Sequence, residues 1–203
     1  MEIIRHRASP DCRGSSLILL PGAYMHAQDF VTHGFMSTAR HDFADIVAVE
    51  TGMQAYLDGS LVPRLHEVIS PLGTRVWLAG VSLGGLGALL YAQAYPDAVA
   101  GLLLMAPFIG TRGVVAEVIE AGGFQAWQPP SADAATDEHL LLEWLKSSRP
   151  NIHLAYGESD RFAASYRLLA SLLPPDRVVT GSGGHDWKTW TGLWDRLLHS
   201  AQF

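Results

Sequence analysis

The chain has 203 residues, 48% of them hydrophobic and 17% charged, so it can bury a full core and a disordered chain is excluded. A net charge of −6 without any cluster of Lys and Arg argues against the basic surfaces that bind nucleic acids. The single cysteine, Cys12, excludes an intramolecular disulfide, and we interpret it as an incidental loop residue rather than a nucleophile.

Membrane and metal-binding patterns are also missing from the sequence. No apolar run reaches the length of about 20 residues that a membrane span needs, and the N-terminus does not look like a signal peptide. No pair of cysteines and no H-E-x-x-H pattern indicates a metal site. We therefore expect one cytoplasmic domain over residues 1–203 with no bound metal.

Six short apolar runs predict buried strands. Their apolar residues are successive instead of alternating, as expected of strands that are covered on both faces. In chain order the runs lie at 15–22, 45–50, 75–82, 100–107, 151–160 and 176–186.

Helical patterns separate these runs. The clearest lie at 60–73, 84–96, 165–175 and 187–201. The last of them places Trp187, Trp190 and Trp194 on one helix face, where we expect core packing. The alternation of strands and helices predicts an α/β fold, with a mostly parallel central sheet and helices on both faces. In such folds, ligands bind beyond the carboxyl ends of the strands.

The longest connection spans residues 108–148, between the fourth and fifth predicted strands. It contains helical pieces and a break rich in Pro, Ala and Asp. Two interpretations follow from the sequence: a small lid over the site, or a crossover helix with additions.

A serine between glycines lies where the third strand gives way to a helix, since residues 80–84 read G-V-S-L-G. This G-x-S-x-G pattern is typical of a nucleophile elbow, a strained turn that exposes a serine hydroxyl. The glycines are interpreted as relief of crowding, because a Cβ at either flank of Ser82 would meet neighbouring backbone. The turn also begins a helix, so the N–H of Leu83 can face an oxyanion.

Two more polar residues that follow predicted strands complete a candidate triad. His185 follows the sixth strand in a glycine-rich loop, and Asp160 follows the fifth. A serine nucleophile needs a base, and a histidine base needs a carboxylate that fixes its tautomer. The chain order Ser82, Asp160, His185 is the order found in α/β-hydrolases.

Competing residues lie close to these three in the sequence. Glu158 is the alternative acid, two residues before Asp160. Asp186 adjoins His185 and is interpreted as a surface or helix-capping residue. His26 follows the first strand and either lines a pocket or lies on the surface. We interpret the seven remaining histidines as structural or solvated.

A second oxyanion donor is expected in the loop after the first strand, where residues 19–24 read L-L-P-G-A-Y. In this type of fold the donor comes from such a loop, and the N–H of Ala23 or of Tyr24 is the candidate. An ordinary strand-ending turn is the alternative.

With these motifs the sequence resembles the α/β-hydrolase superfamily over nearly its whole length. It looks most like small bacterial carboxylesterases with little or no cap, and its segment G-G-H-D-W-K-T-W at 183–190 is similar to esterase-D-like and tributyrin-esterase-like members. The resemblance implies hydrolysis through an acyl-enzyme, with no metal or organic cofactor. The chain departs from the family in reading P-G-A-Y where many lipases have H-G-G-G. It is also short, which implies that one or two edge strands are missing.

We therefore expect a serine hydrolase whose partner is a small-molecule ester or thioester, with no nucleic acid and no membrane span. An acyltransferase or a peptidase with the same triad remains an alternative. So does a ligand-binding member of the fold without catalysis.

Overall fold

A computed structural model describes residues 1–7, 14–201 and 203, so Cys12 lies outside the described residues. In the described part of the chain, seven strands form one sheet in the order β1-β3-β2-β4-β5-β6-β7. The strands are β1 (Ile3–Arg7), β2 (Ser16–Leu20), β3 (Asp45–Val49), β4 (Val76–Val81), β5 (Val99–Met105), β6 (Ile152–Gly157) and β7 (Val178–Gly181).

The sheet is parallel except at one edge, where β1 pairs antiparallel with β3. Every residue of β2, β3, β4 and β6 is buried, so both faces of the central sheet are covered. All six strands predicted from apolar runs are confirmed.

Helices connect the strands and cover both faces. They are α1 (Ala27–Thr32), α2 (Phe35–Ala39), α3 (Gly52–Leu57), α4 (Leu61–Ile69), α5 (Leu83–Ala94), α6 (Arg112–Glu120), α7 (Asp137–Ser148), α8 (Ala163–Ala170) and α9 (Trp187–His199). Helix α5 packs on β2, β4 and β5 and against α4, whereas α9 packs on β5, β6 and β7 and against α2. Among the described residues, no helix is both long and apolar enough to cross a membrane.

Strand β1 was not expected from the sequence. Most of its residues are exposed, so it lacks the run of buried apolar side chains that marks the other strands. It is held by backbone pairing with β3 and by an ion pair between Arg5 and the largely buried Asp45. Neither interaction leaves a local pattern in the sequence.

The chain order reverses at β2, which lies between β3 and β4. Two strands continue the sheet on one side of β2 and four on the other. In open α/β sheets, the carboxyl ends of strands at such a reversal form the ligand crevice. The loops after β2 and β4 therefore meet at the place where this fold is expected to bind ligands.

The three tryptophans of α9 differ in their surroundings. Trp194 is buried and its indole Nε1–H donates to the backbone oxygen of Phe35 at 3.0 Å, so the prediction of core packing is confirmed there. Trp190 is also buried. Trp187 is only partly buried and stacks on His33, with the ring centroids 4.2 Å apart.

His153 is a buried histidine near the start of β6. Its Nδ1 lies 3.0 Å from the Oγ of Ser200, and its ring packs near Trp77. Burial lowers the pKa of His153 to about 4; the positive charge of Arg177 adds to this effect and the negative charge of Asp176 opposes it.

This lowered pKa predicts that His153 destabilises the fold in acid. An unfolded histidine takes up a proton near pH 6.5, whereas the folded one does so only near pH 4, so stability is present above pH 6.5 and is lost as the pH falls towards 4. Between pH 7 and pH 4.5, we expect the free energy of unfolding of the parent protein to fall by about 2 kcal/mol more than that of His153→Asn, which lacks the titrating ring. Urea unfolding of both proteins measures this; a difference that does not change with pH would contradict it.

Candidate active site

The carboxyl ends of the parallel strands bring the three predicted triad side chains together. Ser82 follows β4, Asp160 follows β6 and His185 follows β7. The Nε2 of His185 lies 3.0 Å from the Oγ of Ser82, and its Nδ1 lies 2.7 Å from the Oδ2 of Asp160. Both are hydrogen-bond distances, so one line of contacts runs from the carboxylate to the hydroxyl.

Ser82 occupies a strained backbone conformation, with φ of 52° and ψ of −115°. Non-glycine residues adopt positive φ only where the surroundings impose it. Here the Ser82 N–H donates to the oxygen of Met105 at 2.9 Å, and the Ser82 oxygen accepts from the N–H groups of Gly85 and Phe108 at 2.9 and 2.8 Å. The turn is thus fixed to the end of β5 and to the start of α5.

The glycines on either side of Ser82 allow backbone to approach backbone. A Cβ on Gly80 would lie 2.3 Å from the oxygen of Gly84, and a Cβ on Gly84 would lie 2.0 Å from the oxygen of Leu20. Real Cβ atoms do not approach so closely. The crowding predicted from the G-x-S-x-G pattern is therefore present at both flanks.

The loops that carry Asp160 and His185 are hydrogen-bonded to each other. The Ser159 N–H donates to the oxygen of Gly183 at 3.0 Å, and the Glu158 N–H donates to the oxygen of Gly181 at 2.9 Å. Gly183 has φ of +123°, a conformation that side chains rarely adopt. The glycine-rich loop can therefore bring His185 beside Asp160.

Asp160 is a completely buried carboxylate with several donors. Its Oδ1 accepts from the Phe162 N–H at 2.9 Å. Its Oδ2 accepts from the Tyr166 hydroxyl at 3.2 Å as well as from His185. A buried negative charge is costly unless it is hydrogen-bonded, and these donors supply that stabilisation.

Tyr166 is a site residue that the sequence reasoning missed. Its hydroxyl lies 3.2 Å from both Asp160 Oδ2 and His185 Nδ1. Burial, and then the negative charge of Asp160, raise the pKa of Tyr166, so the hydroxyl stays protonated and donates. Its position six residues after Asp160, near the start of a predicted helix, gave no signal beyond an aromatic side chain.

Two aromatic rings hold the imidazole of His185 edge-on. Phe162 packs at a centroid distance of 5.3 Å and Trp190 at 4.9 Å, with interplanar angles of 78° and 89°. The His185 side chain is 17% exposed, so it remains accessible from the cavity. The ring is therefore restrained while one edge stays open to a substrate.

The competing residues have other hydrogen-bond partners. Glu158 accepts from the Thr180 hydroxyl at 3.1 Å on the surface. Asp186 caps α9 by accepting from the N–H of Thr189 at 2.8 Å, and this bond lowers the pKa of Asp186. His26 precedes α1 beside Glu50 and is mostly exposed.

The candidate oxyanion donors lie next to Ser82. Met25 donates its N–H to the oxygen of Gly22 at 3.2 Å, which closes a turn in which Tyr24 has φ of 60°. Ala23, Tyr24 and Leu83 all line the same cavity as Ser82. Within the described residues, the N–H groups of these three donate to no protein acceptor.

A cavity of about 840 Å³ opens above Ser82 and His185. Most of its wall is apolar, and α6 contributes Val115, Ala116 and Ile119. This combination of a large apolar volume with a few convergent polar groups is typical of a small-molecule site. No group of three His, Cys, Asp or Glu side chains placed to hold a metal ion occurs in the part of the chain that the structure describes.

Sequence comparison relates the chain to one family. Residues 39–198 match the model of a family described as "Putative esterase". No curated protein sequence matches the chain significantly.

Solved structures with the same fold include hydrolases of low sequence identity. The fluorophosphonate-binding serine hydrolase F of Staphylococcus aureus has a TM-score of 0.70 and 14% identity, with 99% of this chain and 92% of that chain covered. S-formylglutathione hydrolase of the same organism has a TM-score of 0.66 and 16% identity, with 92% of this chain and 80% of that chain covered. Monoacylglycerol lipase of Paleococcus ferrophilus has a TM-score of 0.59 and 17% identity, with 99% of this chain and 100% of that chain covered. These likenesses confirm the expected α/β-hydrolase fold.

Gly84 is predicted to be intolerant of any side chain. We expect Gly84→Ala to lower the free energy of unfolding by about 3 kcal/mol or more, because the new Cβ would meet the backbone of Leu20. Gly192, on the exposed side of α9, has no atom within 4 Å of an added Cβ and is the matched control. We expect Gly192→Ala to raise the free energy of unfolding by about 0.5–1 kcal/mol. Urea unfolding of both variants tests this, and equal effects would contradict it.

The hydroxyl of Tyr166 is predicted to matter for the reactivity of Ser82. Tyr166→Phe removes one donor from Asp160 without changing the ring, so the Asp160–His185 pair is held less firmly. We expect Ser82 to react with a fluorophosphonate roughly tenfold more slowly, as one lost hydrogen bond to a charged group implies. Tyr156→Phe, at a ring 5.3 Å away, is the control and should react normally. Equal labelling rates in both variants would leave Tyr166 with only a packing role.

Proposed function

The chain belongs to the esterase family, and we propose that it is a serine hydrolase that cleaves carboxylic esters or thioesters of small molecules. The observation that carries this proposal is the 3.0 Å contact between Ser82 Oγ and His185 Nε2, with Asp160 at 2.7 Å behind the ring. Three residues from distant parts of the chain meet in the arrangement that activates a serine.

In the proposed first step, Ser82 attacks the carbonyl carbon of the ester. His185 Nε2 accepts the Oγ proton, while its Nδ1–H keeps donating to Asp160. The buried carboxylate stabilises the imidazolium that forms. When the C–O or C–S bond breaks, His185 returns the proton to the leaving alcohol or thiol, and Ser82 carries the acyl group.

The negative charge on the carbonyl oxygen needs donors that are already in place. We assign this role to the N–H of Leu83 at the start of α5, together with the N–H of Ala23 or Tyr24. The adjacency of β2 and β4 supports this assignment, since Leu20 lies in register with Gly80 and the two following loops meet. Water, activated by His185, then attacks the acyl group and releases the acid and Ser82.

We further propose a single domain in which segment 108–148 is a fixed cavity wall rather than a hinged lid. Glu117 on α6 accepts from Trp127 Nε1 at 2.7 Å and contacts His139 Nε2 of α7 at 3.0 Å. Glu138 on α7 accepts from the N–H and hydroxyl of Thr111 at 3.1 and 2.8 Å. These contacts tie both helices together beside the cavity.

A panel of p-nitrophenyl esters of increasing acyl length tests the proposed function. We expect hydrolysis by the parent and a loss of kcat by at least about 10⁴ in Ser82→Ala and in His185→Ala, because triad members act as a unit. Ser165→Ala is the matched control: Ser165 also lines the cavity, but its hydroxyl donates to the oxygen of Phe162 at 2.7 Å.

Ester hydrolysis, fluorophosphonate labelling, an added alcohol and amide substrates together separate the alternatives. Substantial turnover by Ser82→Ala would remove Ser82 from its proposed role. A parent enzyme that neither hydrolyses esters nor is labelled by a fluorophosphonate would instead be a ligand-binding member of the fold. Ester formation with an added alcohol would indicate an acyltransferase, and equal cleavage of amide substrates would indicate a peptidase.

A further inference from the structure

Two arginines in the cavity wall carry an inference about the substrate, which rests on the proposed hydrolase function. We infer that the leaving group of the substrate bears an oxyanion, a carboxylate or a phosphate, and that Arg112 and Arg161 bind it. The enzyme would thus prefer esters or thioesters of anionic alcohols or thiols over neutral ones.

Both arginines converge on one part of the cavity rim. Arg112 is the first residue of α6, and Arg161 directly follows Asp160. Both line the cavity that contains Ser82. Their guanidinium carbons lie 5.8 and 4.8 Å from the centroid of the same ring, that of Phe162.

Within the described residues, neither Arg112 nor Arg161 forms an ion pair with a carboxylate. The arginine that does form one there is Arg5. Among the described residues that line the cavity, the acidic side chain is Asp186, and its carboxylate already accepts hydrogen bonds from Thr189. Glu138 lies near the start of α6, where it is bonded to Thr111. In a chain of net charge −6, this part of the rim is therefore an unneutralised positive patch.

The position of the patch relative to His185 assigns it to the leaving group. The Phe162 ring contacts both guanidinium groups and also the His185 ring, which it meets edge-on at a centroid distance of 5.3 Å, so the patch and His185 are neighbours across one side chain. His185 returns the proton to the leaving group, so the leaving group must lie on the His185 side of Ser82. An anion several bonds beyond the departing oxygen or sulfur would then reach the arginines.

The rest of the cavity suits the acyl part. Its wall includes Met25, Met53, Ile109, Val115 and Ile119, none of which offers a charge. Met53 and Ile119 are also among the exposed large hydrophobic residues, so the apolar surface continues to the rim. The cavity wall thus offers apolar surface for an acyl chain in addition to the two guanidinium groups.

A matched pair of acetyl esters tests the inference. One is 4-acetoxybenzoate, whose leaving group, 4-hydroxybenzoate, carries a carboxylate on its ring; the other is its methyl ester, whose phenolic leaving group carries no charged substituent. A third, 4-acetoxyphenyl phosphate, distinguishes phosphate from carboxylate. The measured quantity is the ratio of kcat/KM for the anionic ester to that for the neutral ester, in the parent and in Arg112→Gln, Arg161→Gln and the double variant.

We expect each single substitution to lower this ratio roughly five- to tenfold, and the double variant to lower it further, as expected for hydrogen bonds to a charged group. Added salt should weaken the preference of the parent, because both arginines are solvent-exposed. Arg64→Gln, which removes an exposed arginine on α4, is the control and should leave the ratio unchanged.

Failure of this inference is distinct from failure of the proposed function. If the neutral ester is hydrolysed in a Ser82-dependent way and the ratio is the same in all arginine variants, the arginines do not select the substrate and the hydrolase function stands. If Arg64→Gln lowers the ratio as much, the preference reflects net charge, which also overturns the inference. If no ester is hydrolysed and Ser82 is not labelled, both proposals fail.

Discussion

The left-handed backbone of Ser82 is the constraint on which the site depends. A serine in this conformation costs about 1–3 kcal/mol and persists only where its surroundings hold it. Hydrogen bonds to the end of β5 hold it on one side, and the close approach of Gly84 to the end of β2 holds it on the other. Because β2, β4 and β5 are neighbours, the sheet itself provides this support.

The negative charge of Asp160 is buried and stabilised by hydrogen bonds. Asp160 is removed from solvent, yet both of its carboxylate oxygens are bonded, so its charge is directed at the imidazole instead of being dispersed into water. The opposite ring nitrogen of His185 faces Ser82 and the cavity. The same segment that contributes Asp160 also contributes Phe162 and Arg161 to the cavity wall, so one loop supplies a buried carboxylate, the ring that packs against His185 and a surface charge.

Much of the fold and the triad could be predicted from sequence because their signals are local and follow chain order. Buried parallel strands leave continuous apolar runs, and Ser82, Asp160 and His185 each follow one. Strand β1 could not be predicted, since it is exposed and held by backbone pairing and one ion pair. Tyr166 and the arginines Arg112 and Arg161 could not be predicted as site residues for a different reason. Arg112 and Tyr166 lie on α6 and α8 and Arg161 lies in the loop after β6, and no short sequence pattern encodes how these elements are oriented above the sheet.

The order of strands in the sheet has a consequence for the folding pathway. The turn at Ser82 is bonded to Met105 of β5 and packed against Leu20 of β2, which are distant in sequence and belong to different neighbours of β4. Such non-local closures are entropically costly and slow to form. In the proposed mechanism, a nascent or partly folded chain therefore carries an ordinary hydroxyl at this position. Ser82 becomes a nucleophile only once these three strands have assembled and β6 and β7 have brought Asp160 and His185 beside it.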